Sequence, residues 1–283
     1  MKITNNIYQK FLIGYLLILV AFWSYLGLTH SVEGTKNYAY SFMFGLMPLV
    51  GGIIGMERSK IWGRLKSSLG KAIFYTSLGL VLWGFGETIW SYYNIFKGVP
   101  APYPSIADIG FAPSIFFWAL GAIFLSRASG ARFALKNNTW AKVVAGVLPV
   151  VLIAASYYLL IVVARDGVLV PPGESVLKLI LDIVYPLGDV IAVTLATVIF
   201  GLSFKIFGGI YRLPIISILV GLTVMYAGDF VFSYTTTVQT FYNGNWGDLL
   251  LTIGLFLITF GVLGFASQPV KNVTSVAQVE KDI

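Results

Sequence analysis

Polar residues in this chain are confined to short interruptions between long apolar runs. Eight runs, at 11–28, 39–56, 72–94, 107–126, 142–164, 177–204, 214–238 and 248–267, each approach the about 20 apolar residues that a helix needs to cross a bilayer core of about 30 Å. The connections carry helix breakers such as Gly98-Val99-Pro100-Ala101-Pro102 and Pro171-Pro172-Gly173. The pattern predicts an all-α integral membrane protein with eight transmembrane helices. It forms one polytopic domain over residues 1–267, followed by a short polar tail at 268–283.

Composition strengthens this reading. Hydrophobic residues make up 57% of the 283 and charged residues 11%, against roughly a quarter charged in soluble domains. Cys is absent and His30 is the single histidine. Thiol catalysis, iron–sulfur clusters and histidine-rich zinc or haem sites are therefore excluded, and no cofactor is expected. Charge placement sets the orientation. Fifteen of the 19 Lys and Arg residues, among them Lys10, Arg58, Arg64, Arg127, Lys142 and Arg212, fall in the termini and every second connection. Lys36, Lys97, Arg165 and Lys178 fall on the other face. The positive-inside rule then places both termini in the cytoplasm of a multi-pass cell-membrane protein. The first run is too long for a signal-peptide core and reads as a retained anchor. The basic loops read as topology determinants facing the lipid bilayer, with no nucleic-acid partner.

The chain also repeats itself. At a shift of 142 residues Gly79-Leu80 falls on Gly221-Leu222, Gly86-Glu87 on Gly228-Asp229, and Ser91-Tyr92 on Ser233-Tyr234. At a shift of 140, Asp108 falls on Asp248 and Gly121 on Gly261; Pro48-Leu49 matches Pro186-Leu187 more weakly. The halves 11–126 and 142–267 are expected to be parallel four-helix repeats.

Six of the 12 acids, Glu87, Asp108, Asp182, Asp189, Asp229 and Asp248, lie in or at spans, where ionisable groups are costly and mark paired or functional sites. All six fall in the outer half, and Lys178 is the only base close by along the spans. Ser105-Ile106-Ala107-Asp108 and Asn245-Trp246-Gly247-Asp248 have N-cap spacing, so Ser105, Asp108, Asn245 and Asp248 are expected to cap helices. The other acids share helical faces with aromatics: Trp83, Glu87 and Trp90; Asp182, Tyr185 and Asp189; Tyr226, Asp229 and Ser233. At a rise of 1.5 Å per residue, Glu87, Asp189 and Asp229 lie roughly 10–18 Å below the outer surface. Asp182 is closer to that surface. Carboxylates at one depth could exchange protons, hold a hard metal ion, or cage an organic cation with the neighbouring aromatics. The identity of any metal stays open. The plainer alternative is polar glue, each acid bonded to a neighbouring helix. Gly51-x-x-x-Gly55 and the Gly254, Gly261, Gly264 series read as close helix packing. No Walker loop, zinc-protease motif or Ser/His/Asp set is visible.

Gly84-Phe-Gly-Glu87-Thr-Ile-Trp90-Ser-Tyr92 followed by Pro102-Tyr-Pro104-Ser105-Ile-Ala107-Asp108 resembles a signature of the multi-spanning membrane-associated sensor modules at the N-terminus of some bacterial diguanylate cyclases and sensor kinases. Tyr185-Pro186-Leu187-Gly188-Asp189 resembles their later Y-P-L-x-D element, and Asp229–Tyr234 with Gly244–Asp248 their closing pair of spans. The likeness covers about residues 75–265 and implies a sensory input module. It departs at Gly110-Phe111-Ala112-Pro113, and no cyclase or kinase sequence follows the last span. Output is expected through a separate cytoplasmic signalling partner.

The first expectation is a stand-alone sensor or ligand-binding module. It takes a small cation or protons from the outer side into a cavity lined by Glu87, Asp189 and Asp229, with Trp83, Trp90, Tyr185, Tyr226 and Asp182. A secondary transporter or channel is the alternative, and a membrane scaffold subunit without ligand a further one. A membrane enzyme ranks last, since no nucleophile–base pair is visible.

Overall fold

A computed structural model describes residues 6–99, 101–129, 138–168, 173, 175–203 and 211–265. The tail 268–283, with Lys271 and Lys281, lies outside the described residues, as do Lys2, Arg132, Lys136 and Lys205.

Eight helices long and apolar enough to cross a membrane follow one another, and no strand occurs among the described residues. They are α1 (Ile7–Leu28), α2 (Thr35–Arg58), α3 (Ser68–Tyr92), α4 (Asp108–Ala128), α5 (Thr139–Tyr157), α6 (Val176–Ser203), α7 (Arg212–Thr237) and α8 (Trp246–Gly264). Polar side chains start several of them. Asn6 caps α1, Ser67 caps α3, Asn138 caps α5 and Asn245 caps α8, each accepting a backbone N–H that has no partner within its helix. Two helices end in a turn of wider winding that the hydropathy pattern does not announce: α3 in Tyr93–Lys97 and α5 in Tyr158–Val163. Such π-type turns recur where a helix face is re-aimed at a site. Pro48, Pro113, Pro149 and Pro186 sit inside helices that continue through them.

Packing concentrates in the hairpins α3/α4 and α7/α8 and in the α2–α3 contact. Small residues bring these backbones together. A Cβ at Gly79 would meet the Ser114 carbonyl at 2.9 Å, and one at Gly221 the Gly254 carbonyl at 2.9 Å. Gly86 faces Phe111 as Gly228 faces Leu251, and Gly121 faces Thr76 as Gly261 faces Ile218. Gly51 abuts Thr259, Gly55 abuts Ser77 and Val262, and Gly264 abuts Pro214, all as helix-packing positions.

The α2–α8 and α4–α6 contacts complete a ring, with α1 laid on α8 and α2. Gln9 and Asn6 fasten α1 by donating to the carbonyls of Phe260 and Leu263 at 2.8 and 2.7 Å. α5 is held differently. It packs on α6, and its final turn touches α7; within α5 only Ala141 and Ser156 are buried. The space between α5 and the ring is where the acids lie.

Candidate functional site

A cavity of about 900 Å³ opens among α3, α5, α6 and α7, at the end of the bundle where the α3–α4, α5–α6 and α7–α8 connections meet. Its wall includes five of the six in-span acids: Glu87, Asp108, Asp182, Asp229 and Asp248. Trp83, Trp90 and Tyr185 also line it. Asp189 and Tyr226 do not reach this space. They border a recess of about 10 Å³ next to it, shared with Ser156, Asp229 and Ser233. Asp229 therefore faces both, as do Ser156, Pro186 and Ser233.

Each acid has its own setting. Glu87 is buried, accepts the Ser41 hydroxyl from α2 at 2.5 Å, and lies within electrostatic reach of Asp248. Gly45 makes room for it, because a Cβ there would overlap the Glu87 side chain. Asp248 accepts the Gly244 N–H at 2.6 Å while its own N–H donates to Asn245 Oδ1 at 3.1 Å. Asp108 repeats this arrangement: it accepts the Ser105 N–H at 2.7 Å, and the Ser105 hydroxyl accepts from Ala107 N at 3.1 Å. The α-helical hydrogen bonding begins at Asp108 itself, so Ser105 and Asp108 close a turn just ahead of α4. Asp108 also accepts the Tyr185 hydroxyl from α6 at 2.6 Å. These two acids are thus tied to chain turns and form cavity wall at once, a double role that N-cap spacing alone does not suggest.

Asp182 is not short of a base. Arg165, in the α5–α6 connection, reaches it at 2.8 Å and Lys178 at 3.8 Å. The expectation that Lys178 alone stands near the acids is corrected here, because the turn after α5 brings Arg165 back over the mouth of the cavity. Tyr103 donates to the second Asp182 oxygen at 2.8 Å. Burial, then the adjacent Asp182 carboxylate, push the Tyr103 phenol above its ordinary range, so it stays a hydrogen-bond donor.

Asp189 and Asp229 stand apart from all of these. They lie within electrostatic reach of one another, and neither carboxylate receives a hydrogen bond among the described residues. Asp189 is 6% exposed. Asp189 is buried and Asp229 half-buried on the cavity wall, and an incoming cation would offset the hydration they lose.

Two aromatic clusters flank Glu87 along α3. Trp83 packs with Phe44 and Phe111, ring centres 5.6 and 5.3 Å apart. Trp90 packs edge-on to Phe232 and Phe241 at 5.9 and 6.1 Å, and donates its indole N–H to Asn243 at 3.2 Å. Asn243 is tied in turn to Asn37, which donates to its carbonyl at 2.7 Å. The four Phe residues, Ser41, Tyr103 and Arg165 were not legible as site residues, since single aromatic or polar positions in apolar spans and loops carry no pairing signal. The repeat match of Asp108 with Asp248 was the available hint that both caps belong to the site. Among the described residues no group of three or more His, Cys, Asp or Glu side chains is placed to hold a metal ion. Comparison of the chain with protein-family models, with curated proteins and with solved structures found no match.

Proposed function

We propose that the protein is a multi-pass cell-membrane module that binds a small organic cation in this cavity and reports occupancy to a separate partner on the opposite face. The observation that carries the reading is Asp229, a mid-span carboxylate that faces the cavity beside Asp189 and has no hydrogen-bond donor among the described residues. An ammonium group there would meet the Asp229 carboxylate, with Asp189 within electrostatic reach behind it, while the Trp83 and Trp90 clusters offer π faces within the same volume. The size also favours an organic ligand, since pockets of roughly 300–1,000 Å³ suit drug-sized molecules.

In this reading the cavity end is extracytoplasmic and both termini are cytoplasmic, following the skew of Lys and Arg. The two halves are parallel repeats. Their support is the paired glycine contacts, Gly79–Ser114 with Gly221–Gly254 and Gly121–Thr76 with Gly261–Ile218, which correspond at the shifts that align the sequence. The repeats differ where the cavity lies. Gly45, Gly51 and Gly52 bring α2 close to its neighbours, whereas the matched positions of α6 hold Ile183, Asp189 and Val190. Gly84 on α3 corresponds to Tyr226 on α7. Bulk and charge thus stand on α6 and α7 where the first half carries glycine, and the site lies beside them. Toward the other end Gly51, Gly52 and Gly55 bring α2 close to α3 and α8, which favours binding and signalling over passage. The sensory role accords with the resemblance to sensor modules.

The test is thermal unfolding of purified protein with tetramethylammonium, choline and spermidine, beside flux of the same cations in proteoliposomes. A ligand at a hundred times its Kd is expected to stabilise the wild type by about 2.7 kcal/mol. The gain should vanish in Asp229→Asn and Asp189→Asn, with no flux. Stabilisation that survives both substitutions overturns the site, and saturable flux overturns the sensor in favour of a transporter.

A further inference from the structure

We infer that the ligand is a single-chain cationic amphiphile, an ammonium head carrying one alkyl tail, whose tail lies in a side opening between α5 and α6. This rests on the cation-binding reading above and names its ligand class.

The opening is visible in the residues that line the cavity and face outward together. On α5 these are Ile153 and Tyr157, 47% and 54% exposed; on α6 they are Ile183 and Leu187, 62% and 46% exposed. All four sit within spans. In this inference the cavity meets the hydrocarbon along that half-exposed apolar rim, at the outer part of the α5–α6 seam. The route from the loop end is narrower, because Asp182, Arg165 and Tyr103 bond across it at 2.8 Å. A fully hydrated cation would be matched to an open polar mouth and an enclosed cage. Here carboxylates lie on the inner wall, at Glu87 and Asp229, and an apolar exit leads sideways. The complementary molecule carries charge at one end and hydrocarbon at the other.

The experiment uses the full chain in phosphatidylcholine nanodiscs, with tetramethylammonium and dodecyltrimethylammonium as probes and dodecyl maltoside as a chain control. Binding is read from tryptophan fluorescence, which Trp83 and Trp90 place inside the cavity. Dodecyltrimethylammonium is expected to saturate one site at least a hundredfold more tightly than tetramethylammonium, and dodecyl maltoside not to saturate. Ile183→Trp, which fills the opening, should reduce the preference for the dodecyl probe over tetramethylammonium at least tenfold; Leu187→Trp gives the same reading if the first variant folds poorly. Asp229→Asn should weaken both ammonium probes at least tenfold. Equal affinity for the two ammonium probes, or dodecyl binding indifferent to both tryptophan variants, overturns the amphiphile while the cation site stands. Failure of both ammonium probes to bind, or binding that ignores Asp229→Asn, overturns both.

Discussion

Tyr185 on α6 donates its hydroxyl to Asp108 Oδ1 at the first turn of α4, 2.6 Å away, while Oδ2 of the same carboxylate holds the Ser105 N–H at 2.7 Å. One acid thereby fixes the start of a helix and tethers a neighbouring one across the cavity. Tyr185→Phe removes only the tether. A hydrogen bond to a carboxylate contributes about 1.5–3 kcal/mol, and apparent unfolding should show a loss of that order. Asp108→Asn should cost more, because it weakens both contacts. An undisturbed Tyr185→Phe would mean that the tether adds nothing to the fold.

Arg165 and Asp182 are a partly buried pair, with side chains 14% and 15% exposed. Their coupling is expected between the about 0.2–1 kcal/mol of exposed pairs and the 3–5 kcal/mol of fully buried ones. A double-mutant cycle with Arg165→Ala and Asp182→Ala measures it. The pair of changes together should cost less than the sum of the two singles, and simple additivity would show the contact to be idle.

The Tyr103 phenol ionises above its ordinary value near 10 because it is buried beside Asp182. The folded chain therefore keeps this proton where the unfolded chain has lost it. Stability from Tyr103 is complete below about pH 10 and falls as pH rises beyond. Unfolding followed from pH 8 to 11 should show wild type losing stability at the alkaline end more steeply than Tyr103→Phe. Parallel curves would place the phenol in contact with water.

Gly52 and Gly146 separate packing from mere composition. A Cβ at Gly52 would stand 2.7 Å from the Ser77 carbonyl and 2.9 Å from the Val81 N–H, while one at Gly146 on α5 meets nothing within 4 Å. Gly52→Ala should cost about 1–3 kcal/mol by overpacking α2 against α3. Gly146→Ala should be neutral or gain up to about 1 kcal/mol from helix propensity. Equal effects at the two positions would remove the close approach of α2 and α3 from the account.

Because the chain has no native Cys, orientation can be read with single introduced thiols. Lys97→Cys should react with a membrane-impermeant maleimide in intact cells, and Arg64→Cys only after permeabilisation. The reverse result would invert the assigned sides.

The eight helices follow from hydropathy because bilayer thickness imposes one length on every span, so apolar runs and their breakers mark the elements directly. Candidate acids are equally conspicuous, each being an expensive exception in an apolar run. What the pattern cannot give is the partner of each exception. Glu87 meets Ser41 from another helix, Asp182 is reached by a loop arginine, and Asp189 shares a small recess with Asp229 while the larger cavity is lined without it. Helical spacing fixes which residues share a face, and only the bundle decides what that face meets. The caps show the same limit. Spacing marks Asp108 and Asp248 as helix caps, but both residues also belong to a cavity wall assembled from other spans.

The attachment of α5 gives the cavity walls of unequal stiffness. α3 and α7 are each locked to a hairpin partner by backbone contacts with no slack, whereas α5 buries only Ala141 and Ser156. A load placed between them finds one compliant wall. Its displacement would be carried along a rod of about 29 Å, 19 residues at 1.5 Å each, to the Asn138 turn at the far side, turning a change of volume at one surface into a lever stroke at the other.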